Sequence, residues 1–166
     1  MNASYSKQKI RHPPVKRVDK THKAKFRAFY DLLQAISPDY RKSSDDHYQS
    51  FIETTLGAAL FYLPQNKELH SSGMISQSAK KLKPQDHTRD HYYPRKWSAR
   101  QLLSSDYTLD EVIKLCNEQF LCYHLITKVE NKQLVPFQKV TTFETPEKSY
   151  EDAGIVLVPL EEDEEE

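Results

Sequence analysis

The sequence predicts an α+β fold: a helical amino-terminal extension, then a small strand-strand-helix domain with short helices inserted between its strands. Three observations carry this. Apolar residues recur at helical spacing between Phe26 and Ile36 and again between Tyr48 and Leu60. Leu121 to Thr127 is rich in strand-forming residues. Thr127-Lys128-Val129-Glu130 then has the form of a capping box, in which a threonine and the glutamate three residues later satisfy each other's backbone N–H groups.

The 166 residues suit one domain with extensions, and the boundaries fall at changes of composition. Residues 1–19 read as a basic flexible arm, since His12-Pro13-Pro14 blocks helix and no periodicity appears. The net charge is zero but unevenly placed. Lys7, Lys9, Arg11, Lys16, Arg17, Lys20, Lys23, Lys25 and Arg27 face only Asp19. Such an arm is either an electrostatic footprint for nucleic acid or a solvated tail. Residues 161–166, all Glu or Asp, read as an acidic disordered tail. No apolar run approaches a membrane span and Met1 to Ile10 lacks a signal-peptide core. A soluble, cytoplasmic protein is therefore expected. Cys116 and Cys122 make no disulfide framework, and their spacing with His124 is not a zinc arrangement.

Residues 20–64 read as a helical pair. The first helix carries Phe26, Phe29, Tyr30, Leu33 and Ile36 and should stop at Ser37-Pro38. The second should bury Tyr48, Phe51, Ile52, Thr55, Leu56, Ala59 and Leu60, with Ser43, Ser44 or Asp45 as cap and Pro64 as stop. The two should pack antiparallel, with their aromatics in the core. Residues 65–84 are polar, hold Gly73, and read as a linking loop.

Residues 85–160 form the second domain. Arg89 to Tyr93 reads as a short strand. Ser98-Ala99-Arg100-Gln101 and Thr108-Leu109-Asp110-Glu111 read as capping boxes of two short helices. Leu121 to Thr127 is the second strand, and a helix follows it that Pro136 must end early. Ile155 to Leu160 reads as a terminal strand.

Chemistry concentrates in Asp86-His87-Thr88-Arg89-Asp90-His91-Tyr92-Tyr93-Pro94-Arg95-Lys96-Trp97. A carboxylate beside an imidazole can hold a divalent ion and take a proton from water, and the cations beyond can hold a phosphate. In a strand, adjacent side chains point to opposite faces, so Asp90 and His91 can share a site only where the strand ends. Pro94 makes that end plausible. A further ligand must come from elsewhere, and Asn131 is the candidate, at the start of the helix after the second strand.

With these residues in view the chain resembles the HNH endonuclease family, most closely phage-encoded members, including free-standing homing-type enzymes. The resemblance rests on Asp90-His91-Tyr92-Tyr93-Pro94-Arg95, on Ile126 to Leu134, and on Tyr150 to Leu157, and spans roughly residues 85–160. It implies a ββα-metal site cutting double-stranded DNA with Mg²⁺ or Mn²⁺. His91 would be the general base, and Asp90 and Asn131 the metal ligands. Arg95 would stabilise developing charge, with Arg89, Arg95, Lys96 and Arg100 on phosphates. The family's central Asn has no clear match; Cys122 or His124 falls near its place. His87 reads as a turn residue that can line the site, and His124 as a core histidine or a secondary ligand. Trp97 reads as packing or a DNA contact. The rival classes are a non-catalytic DNA-binding or interaction protein descended from such an enzyme, and a small helical protein with an accidental Asp-His pair.

Overall fold

The computed structural model describes residues 20–63 and 70–160. The basic arm, Pro64 and the acidic tail lie outside the described residues. The chain is a mixed α+β protein: two amino-terminal helices, then a four-stranded mixed sheet with interspersed helices. Helix α1 is Lys20–Lys42 and α2 is Asp46–Tyr62. Then follow β1 His70–Ser76, β2 His87–His91, α3 Arg95–Ser104, α4 Leu109–Leu115, β3 Cys122–Thr127, α5 Lys128–Leu134, α6 Pro146–Asp152 and β4 Leu157–Pro159. The sheet order is β2-β3-β1-β4, with β1 parallel to β3 and both edge strands antiparallel to their neighbours. Among the described residues no helix is long and apolar enough to cross a membrane.

Helix α1 runs through Ser37-Pro38 instead of stopping there. The carbonyl that Pro38 leaves without an N–H belongs to Gln34, an exposed residue. Continuing the helix buries Tyr40, whose hydroxyl donates to Glu53 at 2.7 Å. Helix α2 starts as expected on Asp45, which accepts from the backbone of His47 and Tyr48. Its buried face is rotated from the expected one. Glu53, Leu56, Gly57 and Leu60 face inward, while Tyr48 and Phe51 are exposed. The cause is α3, which packs along α2. A Cβ on Gly57 would sit 3.0 Å from the Arg95 carbonyl oxygen, so only glycine lets α3 approach this closely.

The main core joins α1, α2, α3 and α4 through Phe26, Leu33, Leu60, Leu102, Val112 and Phe120. A second cluster, Ile126, Leu134, Tyr150 and Ile155, lies under α5 and α6. Thr108 and Thr127 form the expected capping boxes with Glu111 and Glu130. Ser98 does not, because α3 has already begun at Arg95. Ser98 lies buried inside it, its hydroxyl donating back to the Pro94 carbonyl.

Strand β1 occupies part of the segment expected to be a loop, and it is an interior strand. Its polar side chains hide it: Ser72 and Ser76 are buried and donate or share hydrogen bonds with His124 and Glu130. Gly73, with φ +72°, marks an irregularity in its pairing between Ser71 and Ile75. Helix α6 is not among the expected elements; it starts on a Thr145 cap followed by proline at the first helical position. It closes on Gly154, φ +68°. There the N–H of Ile155 donates to the Tyr150 carbonyl and that of Gly154 to Glu151, which returns Ile155 to the second core.

Candidate functional site

Strand β2 covers His87–His91 rather than the expected Arg89 to Tyr93 and lies antiparallel to β3. Asp90 and His91 are therefore both still paired in the ladder, and the expected turn that would bring them to one side is not seen. Asp90 pairs with His124 across the ladder, and His91 with Tyr123. The two side chains take opposite faces. Asp90 turns toward the second core. Its Oδ2 accepts from the Tyr150 hydroxyl at 2.5 Å and from Gln138 Nε2 at 2.9 Å. Only 6% exposed, its carboxyl is pushed above the ordinary range by burial, and the two donors offset this only in part. Tyr150 is pushed up in turn, by burial first and by Asp90 next.

His91 lies half-buried on the other face. Burial, then the Arg95 guanidinium, push it down to about 4, against the pull of the Phe120 carbonyl. Its Nδ1 has no hydrogen-bond partner. Burial thus favours the neutral ring, and the unpartnered Nδ1 is itself shielded from solvent. Arg95, the first residue of α3, is exposed and its guanidinium lies 5.5 Å from the centre of the Phe61 ring. Arg89 is exposed as well, over the Tyr123 ring at 4.9 Å.

Asn131 is half-buried in α5, which packs on both β2 and β3. No hydrogen bond joins it to Asp90 or His91 among the described residues. Lys96 and Arg100, expected on phosphates, have another partner. Arg100 Nε lies 2.6 Å from Glu53 Oε1, and Lys96 Nζ lies 2.6 Å from Ser50 Oγ and 3.8 Å from Glu53 Oε2. Glu53 is fully buried, and both cations compensate it. Sequence reasoning missed Glu53 because it sits on a helix face read as polar. His87 holds a turn: its Nε2 lies 2.9 Å from the Ala79 carbonyl. His124 is a core histidine, 2% exposed, with Nδ1 2.5 Å from Ser72 Oγ and its ring edge-on to Tyr92 and Tyr150. Trp97 packs, stacked on Tyr93 and edge-on to Phe143.

The two histidines set an acid limit on stability. Burial pushes His124 also down to about 4, from the ordinary 6.5. A histidine with a depressed folded pKa contributes stability that is full above 6.5 and lost as pH falls through about 4. Asp90 acts with the opposite sign: its raised pKa contributes stability at low pH that is lost as pH rises. The histidines dominate between 6.5 and 4, so the urea midpoint should fall across that window, and fall less in His91→Ala. A flat midpoint in the wild-type protein would contradict the assignment.

The hard oxygens of Asp90 and Asn131 suit Mg²⁺ or Mn²⁺, which take one or two protein ligands and fill the rest with water and phosphate. Among the described residues no three His, Cys, Asp or Glu side chains cluster as metal ligands. No family model matches the chain, and neither the curated proteins nor the solved structures contain a match.

Proposed function

We propose that this chain is a metal-dependent DNA endonuclease that hydrolyses phosphodiester bonds at a ββα-metal site of the HNH type. One observation carries the reading. Strand β2 ends on Asp90-His91 and pairs antiparallel with β3, and β3 passes through the Thr127 cap directly into α5, which carries Asn131 and packs back on both strands. Asp90 and Asn131 would hold one Mg²⁺ or Mn²⁺. Both hydrogen bonds to Asp90 fall on Oδ2, which leaves Oδ1 as the ligand oxygen. When bound, the ion would neutralise charge on the scissile phosphate and its leaving oxygen.

His91 would take the proton of the attacking water. A pKa near 4 makes a weak base, and the anionic phosphate beside it raises basicity toward the working pH. Arg95 lies close enough to depress His91 and would hold the same phosphate. Arg89 extends the grip along the backbone. Lys96 and Arg100 are assigned to Glu53 instead, since a cation already matched to a buried carboxylate gains little from a second anion.

The second reading is a non-catalytic DNA-binding protein, favoured by the closure of Tyr150 and Gln138 over Asp90. In that case Asp90 is only a polar tie between β2 and α6. Incubation with supercoiled plasmid separates the two. The enzyme should nick or linearise it in Mg²⁺ or Mn²⁺ and not in EDTA. Plasmids and branched DNAs left intact under both metals would favour the binding protein.

A further inference from the structure

Helix α2 carries large aromatic side chains in water, two of them at its carboxy-terminal end. Phe51 is 68% exposed, Phe61 52% and Tyr62 71%. From Phe51 to Tyr62 they span about 16 Å by helix rise. Soluble proteins seldom leave such rings open without a use. Their surroundings say which use. Arg95 lies over Phe61, and Lys25 Nζ lies 3.2 Å from the Tyr62 carbonyl. No ion pair engages either cation among the described residues. Between His47 and Tyr62 the single carboxylate, Glu53, is fully buried. The exposed face is thus aromatic, edged by cations and free of negative charge, which complements a polyanion bearing flat bases.

The fold also places it by the candidate site. Gly57 abuts the backbone of Arg95, Phe61 follows one turn later, and Arg95 is four residues from His91. We propose that the end of α2, with Arg95 and Lys25, is a stacking platform for unpaired bases of a DNA strand whose backbone passes to His91. The proposal rests on the endonuclease reading and refines it: the substrate carries a single-stranded stretch beside the cut, as a frayed, flapped or branched DNA does. Base stacking on aromatic side chains tolerates any sequence, whereas the stacked bases of an intact duplex offer no free face to Phe61 or Tyr62. A second copy of the chain is the other conceivable occupant. A parallel pairing of α2 would bring Arg95 and Lys25 against their own copies, which like charges oppose, and an antiparallel pairing is separated from strand binding by the sedimentation arm of the test.

The test measures anisotropy of a fluorescein-labelled oligo-dT, a blunt duplex and an oligo-U, in EDTA, for wild type and for Phe61→Ala and Tyr62→Ala. Oligo-dT should bind more tightly than the duplex, and each variant should lose about tenfold for oligo-dT. Thermal melting of Tyr62→Ala should be unchanged, because its ring is in water. The proposal is overturned if both variants bind oligo-dT as wild type does, if the duplex binds equally well, or if oligo-U binds more tightly than oligo-dT. It is also overturned by a dimer in sedimentation that Tyr62→Ala dissociates with DNA binding intact. Because EDTA removes hydrolysis from the measurement, the two readings fail separately. Strand binding without plasmid cutting removes the endonuclease, and plasmid cutting without aromatic-dependent strand binding removes the platform.

Discussion

His91→Ala is expected to lower metal-dependent nicking by about 10²–10⁴-fold, the range for losing a positioned general base. The effect should be chemical, with little structural loss. His91 ends an edge strand and is half-buried, its Nδ1 bonds nothing, and the Phe120 carbonyl is the one partner the substitution leaves. The far-ultraviolet circular dichroism spectrum and affinity for DNA should stay near wild type while the rate collapses. Equal cutting by His91→Ala would remove His91 from the mechanism. Loss of cutting together with loss of the folded spectrum would assign it a structural role.

The largest expected effect on stability lies elsewhere, in the ion cluster around Glu53. Glu53 has no exposed surface, and its Oε1 accepts from Tyr40 at 2.7 Å and Arg100 at 2.6 Å. Its Oε2 has no hydrogen bond, with Lys96 Nζ at 3.8 Å. Burial opposes charge on Arg100, but the Glu53 carboxylate outweighs it and holds the guanidinium above its ordinary range. Arg100→Ala leaves the carboxylate buried beside a distant lysine, which should cost about 3 kcal/mol in chemical denaturation. Replacing both partners, Glu53→Leu with Arg100→Ala, should recover most of that loss, because the buried charge goes too. A single-variant cost under about 1 kcal/mol would show that water reaches Glu53 and that the cluster is a surface pair. Because the cluster ties α1 and α2 to α3, it also fixes Arg95, which opens the same α3 five residues before Arg100.

What the sequence discloses follows from how local each cause is. Thr108 and Thr127 cap helices through residues three positions away, and both boxes form. Ser98 has the same pattern, but an upstream packing event, α3 starting against Gly57, has already absorbed it into a helix. Strand β1 was hidden because its buried face uses serine hydroxyls that reach residues more than fifty positions away. The inward face of α2 was misread for a similar reason. Glu53 can be buried only with Tyr40, Lys96 and Arg100 around it, and no pattern within α2 announces them. For the candidate site, a strand bearing Asp90-His91 and the capped helix bearing Asn131 were legible, but not the strand's bounds, which are His87–His91 rather than Arg89 to Tyr93. The closure of Gln138 and Tyr150 over Asp90 was not, since they lie 48 and 60 residues downstream.

Central to the account is that the carboxylate of Asp90 serves a metal beside His91, and plasmid nicking by wild type and by Asp90→Asn, in Mg²⁺ and in EDTA, tests it most directly. Asparagine keeps the size of Asp90 and an oxygen for the Tyr150 hydroxyl, so the variant should fold. Nicking in Mg²⁺ by wild type alone, with none in EDTA and none by Asp90→Asn, is the predicted result. Nicking that persists in EDTA, or that Asp90→Asn performs at the wild-type rate, would contradict it.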